Sequence, residues 1–322
     1  MMDTCNNTND SCGFIVTAGS RYLDIDAYAC CVALRELLEL KGERAVAFSK
    51  AKRNYSVCDS LIRDGQMTDE LPPDYSAERS RYIICDVSDP DYIKDGAPLE
   101  NVAEIFDHHT GFEKFWNDRI GDNAHIEFIG AAATLIYREW VKSGLFGRMS
   151  RPTALLLIAA ILDNTLDMTS SIVTDADREA FEALCKKENI GEEWRDSYFS
   201  EVQDSTEADL QNALFNDLKV MHDHPVIPTL FGQLCIWDSQ RIVDRLGELR
   251  DWFDSRGESW MLNIIDIKRR CSCFVCPDEK HRKRLEDVFK VRFDRDVATT
   301  QKSYLRKEII KITDSYVQQI RD

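Results

Sequence analysis

The stretch Glu104-Ile105-Phe106-Asp107-His108-His109-Thr110 closes an apolar, strand-like run, Val102 to Phe106, with one carboxylate and two adjacent imidazoles. In α/β proteins ligands bind at the carboxyl ends of parallel strands, so chemistry placed directly after such a run marks a site. Working outward, the same grammar recurs. Asp24 and Asp26 follow Phe14-Ile15-Val16-Thr17, Asp86 follows Tyr82-Ile83-Ile84-Cys85, and Asp163 ends the apolar run Ala154 to Leu162. Carboxylates converging on one sheet edge raise one another's pKa values unless cations hold them together. The arrangement therefore predicts a divalent-metal cluster.

The ordered set Asp24-Ile25-Asp26, Asp86, Asp107-His108-His109 and Asp163 resembles the four motifs of the DHH phosphoesterase superfamily. That resemblance implies an α/β fold: an N-terminal, mainly parallel sheet flanked by helices, a smaller C-terminal α+β domain, and a site in the cleft between them. It also implies two or more divalent ions, Mg²⁺ or Mn²⁺, held by Asp24, Asp26, Asp86, His108 and Asp163. Such an ion pair clamps a phosphoryl group and activates water. His109, facing away from the metals, is expected to hydrogen-bond a phosphate oxygen or the leaving group. Asp107 is expected to orient His108 or touch a metal itself.

The second half sorts the superfamily further. One branch ends in a domain with a Gly-Gly-Gly-His signature, and this chain has no Gly-Gly pair. The other contains the exopolyphosphatases, the family II inorganic pyrophosphatases and prune-like proteins, whose second domain brings a lysine and an Arg-Lys pair to the substrate. Here Asp217-Leu218-Lys219 and Leu305-Arg306-Lys307-Glu308 resemble those elements, assigning substrate phosphates to Lys219, Arg306 and Lys307. Two departures matter. Ser20 stands where the pyrophosphatases carry a metal-binding histidine, which makes the site more oxygen-rich and favours Mg²⁺. Leu305 and Glu308 stand where they carry serine and lysine, which lowers the positive charge offered to pyrophosphate. The expected activity is thus exopolyphosphatase. Pyrophosphatase, prune-like cyclic-nucleotide phosphodiesterase and a non-catalytic binder of phosphate ligands are the alternatives.

Composition bounds the rest. A chain of 322 residues holds about two domains, expected at 1–192 and 207–322 with a polar, acidic linker at 193–206. The net charge is −16, yet from Thr206 onward 20 basic residues balance 20 acidic ones, so the whole excess lies in the first part. That suits cations held by one half and anions by the other, and it argues against a duplex nucleic-acid partner. No apolar segment approaches the roughly 20 residues of a membrane span. The first residues, Met1 to Asn7, lack the basic and apolar regions of a secretory signal. Eleven cysteines, several inside apolar runs, are expected as reduced thiols in the cytoplasm.

Local patterns predict strands at Phe14 to Gly19, Ala45 to Ser49, Tyr82 to Cys85 and His125 to Ile129, and helices at Asp26 to Leu40 and Asp177 to Lys187. Thr174 is expected as the N-cap of the latter. The second part is expected to hold strands at Leu230 to Trp237, Trp260 to Ile267 and Arg270 to Cys276, with one helix over Ser239 to Phe253 and a basic one over Asp278 to Phe289. Cys271, Cys273 and Cys276 with His281 read as buried side chains rather than a zinc site. His222-Asp223-His224 reads as a solvent-facing turn. The basic runs Lys268-Arg269-Arg270 and Lys280-His281-Arg282-Lys283-Arg284 read as solvated surface rather than a track for a long polyanion.

Overall fold

Short runs rich in β-branched residues form the sheet, and polar caps start the helices between them. A computed structural model describes residues 13–21 and 23–319. The expectation for the extreme N-terminus lies outside them. The chain divides into two compact units between Arg195 and Asp196.

The first unit runs β1 (Phe14–Thr17), α1 (Ile25–Leu40), β2 (Ala45–Ala47), β3 (Arg81–Cys85), α2 (Pro90–Ile93), β4 (Val102–Asp107), α3 (Glu113–Ile120), β5 (Ala124–Ile126), α4 (Ala132–Lys142), α5 (Arg151–Asn164) and α6 (Asp175–Glu188). Its five strands lie in the order β2-β1-β3-β4-β5, every pairing parallel. All strands therefore point their carboxyl ends to one edge. One core gathers Ile15, Tyr82, Ile84, Ile105 and Trp116. Helix α5 packs against α1, α4 and α6, which is why nearly every position from Thr153 to Leu162 is apolar or buried. Thr174 caps α6 in a capping box with Asp177.

Gly130 shows how tightly the turn before α4 is built. A Cβ there would lie 2.7 Å from Asp177 Oδ2 and 2.8 Å from Thr165 Cγ2. Gly130→Ala is expected to cost about 1–3 kcal/mol through that overlap. A urea midpoint equal to that of the parent protein would contradict it.

Helix α7 (Glu192–Ala208) covers the whole stretch expected as a linker. The acidic composition had hidden a helical stripe whose buried members are Tyr198, Phe199, Val202 and Thr206. The second unit continues with α8 (Leu210–Asn216), β6 (Leu218–Val220), β7 (Leu230–Ile236), α9 (Ser239–Val243), α10 (Leu246–Asp254), β8 (Trp260–Asp266), β9 (Cys271–Val275), α11 (Glu279–Phe289), β10 (Val297–Thr299) and α12 (Arg306–Gln319). Its sheet is ordered β10-β9-β8-β7-β6, with β7 and β8 parallel and the outer pairs antiparallel. The single helix expected over Ser239 to Phe253 is two, broken at Asp244 and Arg245. Phe231, Met261, Phe274, Leu285 and Ile309 form its core.

Among the described residues no helix is long and apolar enough to cross a membrane, and none of the nine cysteines forms a disulfide. His224 corrects its expectation. Its side chain is 9% exposed, Nδ1 accepts from the backbone N–H groups of Val226 (3.2 Å) and Ile227 (2.9 Å), and Nε2 faces Asp314 at 3.2 Å. It holds the turn together rather than facing solvent.

Candidate active site

β4 delivers Asp107, His108 and His109 to the carboxyl edge, and β3 delivers Asp86 beside them. Asp86 lies at φ 59°, a left-handed conformation that aspartate tolerates better than most residues and that turns its carboxylate sharply out of the strand. His108 Nδ1 lies 3.1 Å from the Ile129 carbonyl. A carbonyl only accepts, so that nitrogen carries the proton and Nε2 presents a lone pair. Nε2 faces Asp86 Oδ1 at 3.3 Å. Two acceptors confront each other there, and Asp86 Oδ1 is buried without a hydrogen-bond donor. Such a pair calls for a cation or a proton between its members. Asp86, His108 and His109 form the one His/Cys/Asp/Glu group among the described residues compact enough to hold a metal ion.

Asp107 meets a different ring from the one expected. It is fully buried, and its Oδ1 accepts from the His109 backbone N–H (3.1 Å) and from Nδ1 of the same residue (2.8 Å). It therefore orients His109 rather than His108, whose tautomer is set by the Ile129 carbonyl. The bond to Asp107 is the main reason that His109 titrates above the ordinary histidine range. Asp107 Oδ2 has no partner. Nor does His109 turn wholly away: its ring stands edge-on to His108, centroids 4.3 Å apart, with Nδ1 3.8 Å from Asp86 Oδ1.

Asp24 is the N-cap of α1, its Oδ1 accepting from the Ala27 N–H at 3.0 Å. Burial raises its pKa, and the two histidines pull it back. Asp26 is more heavily engaged. Its carboxylate accepts from the first amides of α4, Ala132 and Ala133 (2.8 Å each), from Asn164 Nδ2 (2.6 Å) and from the Cys30 thiol (3.5 Å). Those contacts occupy both oxygens, so Asp26 anchors α4 and the end of α5 where a metal ligand was expected. Burial nonetheless pushes its pKa up to about 6. Asp86 is held well above the carboxylate range, first by burial and then by Asp26 and Asp24. Asp24, Asp26 and Asp86 thus lie close enough for each charge to raise the pKa of a neighbour. Asp163 occupies the last turn of α5, next to the Asn164 that binds Asp26.

Sequence reasoning passed over two contributors. Asn164 is one. Asp177 is the other: fully buried, it accepts from the Gly130 N–H (2.9 Å) and the Thr134 hydroxyl (2.6 Å), holding in place the Ile129-Gly130 turn that fixes the His108 tautomer. The signal for Asp177 was the Thr174 cap, read only as a helix start.

In the second unit Lys219 sits on the edge strand β6, where it pairs with Phe231, and Arg306 starts α12. The Arg306 guanidinium reaches the Phe231 carbonyl at 3.5 Å and the Asp217 carbonyl at 2.6 Å, and pairs with the Asp217 carboxylate. The structure thus brings Lys219 and Arg306 to one strand end, while Lys307 is exposed beside them. Glu308 accepts from the Leu305 N–H at 2.8 Å, a capping contact on the same helix. Of the basic runs, Arg269 pairs with Asp238 and Asp266, Arg282 with Asp296, and Lys283 with Glu279. Cys271 and Cys273 are buried on β9, and His281 is tied to Asp278 at 2.7 Å.

No family model matches the chain. Its sequence is similar to a probable manganese-dependent inorganic pyrophosphatase of Lactobacillus helveticus, 23% identical over 174 residues, 53% of this chain and 54% of that protein. A protein of the same description from Shouchella clausii is 24% identical over 177 residues, 54% of this chain and 55% of that one. The chain spans about half the length of the curated relatives it matches. In structure it resembles a putative family II inorganic pyrophosphatase of Methanococcus jannaschii (TM-score 0.59, 18% identity), covering 94% of this chain and 98% of that one. It also resembles an exopolyphosphatase-related protein of Bacteroides fragilis (TM-score 0.52, 12% identity), covering 96% and 94%. These relatives and neighbours support the place in the DHH phosphoesterase superfamily that the motifs implied.

Proposed function

We propose that the chain is a metal-dependent hydrolase of phosphoanhydride bonds, with inorganic polyphosphate as its leading substrate. The observation that carries this is the confrontation of His108 Nε2 with the donorless Asp86 Oδ1 at 3.3 Å. The donor set fits hard divalent cations: a neutral imidazole nitrogen, a buried carboxylate oxygen without a partner, and further carboxylates at Asp24, Asp107 and Asp163. Divalent cations held there supply Lewis-acid stabilisation of the phosphoryl oxygens and lower the pKa of water. The chain's own residues do the rest. Asp107 fixes His109 through Nδ1 so that Nε2 points outward, and the 65% exposed ring is placed to donate a hydrogen bond to a phosphate oxygen or a leaving group.

The second unit supports polyphosphate over pyrophosphate. Arg306 shares its charge with Asp217, and Glu308 adds a carboxylate to the same helix start. Less net positive charge is left for a small, highly charged anion. The identity of the relatives favours pyrophosphate, so both substrates belong in the test. Phosphate release from pyrophosphate, tripolyphosphate and long polyphosphate is expected with Mg²⁺ as well as with Mn²⁺, to be strongest for the polyphosphates, and to stop on chelation, while a cyclic nucleotide, assayed by its opening to the monophosphate, should stay intact. Release that survives chelation, or none from any substrate, would refute the proposal.

A further inference from the structure

The loop after β2 wraps the loop that carries Asp24. Ser49 Oγ donates to the Gly19 carbonyl (3.3 Å), Arg53 bridges Leu23, the Asn54 N–H donates to the Leu23 carbonyl (2.8 Å), and the Ile25 N–H donates to Ser56 Oγ (3.1 Å). Because β1, β2 and β3 are parallel, this loop lies on the same carboxyl edge as Asp86. It carries Lys50, Lys52 and Arg53, all exposed.

Arg21, Arg44, Lys94, Lys114, Arg138 and Lys142 of the acidic unit each sit against a carboxylate, whereas others, such as Lys41 and Arg79, do not. Lys50, Lys52 and Arg53 have no ion pair and no side-chain hydrogen bond to any described residue. Three like charges in four positions repel one another, and the excess of carboxylates elsewhere in this half makes their isolation more pointed. Strand β2 is two spacings from β3, roughly 10 Å at about 4.8 Å per strand. That separation exceeds the reach of a phosphate held at Asp86 and His108 but suits a chain of several phosphates.

We infer that Lys50, Lys52 and Arg53 form a subsite for the distal phosphates of an extended polyphosphate whose terminal phosphate lies at Asp86 and His108. The inference rests on the phosphoanhydride reading above. It assigns chain-length preference to the first unit's own rim, with flexible lysines suited to a repeating polyanion of no fixed register.

The test replaces all three residues by glutamine, with Lys41, Arg44 and Arg79 replaced in a second protein as control. The control sites precede β2 and β3 and so sit at the opposite edge of the sheet. The rim variant is expected to raise KM for long polyphosphate about tenfold, the scale of three solvent-screened contacts. KM for pyrophosphate and kcat should stay where they were, and the control should change neither. Equal effects from rim and control, or a rim effect shared by pyrophosphate, would overturn the subsite while leaving the hydrolase reading intact. Should the parent protein release no phosphate at all, the hydrolase reading fails, and calorimetric titration with long polyphosphate still decides the rim. Binding lost only in the rim variant supports it, and binding retained overturns it.

Discussion

Asp86→Asn is expected to abolish hydrolysis and at the same time raise the melting temperature of the metal-free protein. Without a cation, Asp86 is a buried carboxylate among other acids, with Oδ1 facing the lone pair of His108. An asparagine amide can donate into that lone pair, and asparagine also accepts the left-handed backbone at this position. The gain should be about 1–2 kcal/mol, or about 2–8 °C for a domain of this size. The sign with pH follows from the raised pKa. A carboxyl group whose folded pKa lies above its unfolded value contributes stability that is fully present below the unfolded value and lost as pH rises through the folded one. Metal-free parent protein should therefore lose stability as pH rises above the ordinary carboxylate range, more steeply than the variant. Activity, in contrast, should fall by about 10³-fold, the scale of removing one preorganised stabilising group. Calorimetry with and without Mg²⁺ separates the two effects: the parent should gain from the ion and the variant should not. A variant less stable than the metal-free parent would show that Asp86 is already satisfied, and the metal assignment would lose its main support.

Asp177→Ala is expected to be the most destabilising single change in the first unit, by about 3–5 kcal/mol. The carboxylate is fully buried and accepts from the backbone N–H groups of Gly130 (2.9 Å) and Thr174 (2.8 Å) and from the hydroxyls of Thr134 (2.6 Å) and Thr174 (2.7 Å). Alanine leaves each donor without a partner in a site closed to water. The consequence reaches the catalytic edge, since the Gly130 turn carries the Ile129 carbonyl that sets His108 and leads into the amides that hold Asp26. A urea-unfolding shift below about 1 kcal/mol would mean that the turn is held by packing alone.

Much of the site was legible because its residues stand at element ends, where polarity interrupts an apolar run. Asp86 after β3 and the Asp-His-His after β4 appear where the alternation pointed. What stayed hidden depends on tertiary geometry. Nothing local separates an aspartate that accepts from a distant helix, as Asp26 does, from one left open for a cation. The roles of Asp107 depend on which neighbouring ring it meets. Among the elements, β6 and β10 have three residues each, too few for a period to register. Helix α7 was concealed by acidic composition although Tyr198, Phe199 and Val202 carry its stripe.

The contacts of Asp26 also bear on how the first unit comes to be folded. Apart from the Cys30 thiol one helical turn on, its partners are 106, 107 and 138 residues further along the chain. A polypeptide emerging from the ribosome exposes this carboxylate well before the amides of Ala132 and Ala133 and the side chain of Asn164 have been made. Burying the start of α1 earlier would strand an ionised group in an apolar interior. Sheet closure in this all-parallel topology is equally non-local, as β1 must wait for β3 and each later strand for a crossover. Early collapse around the start of α1 is therefore disfavoured until α4 and α5 have been made.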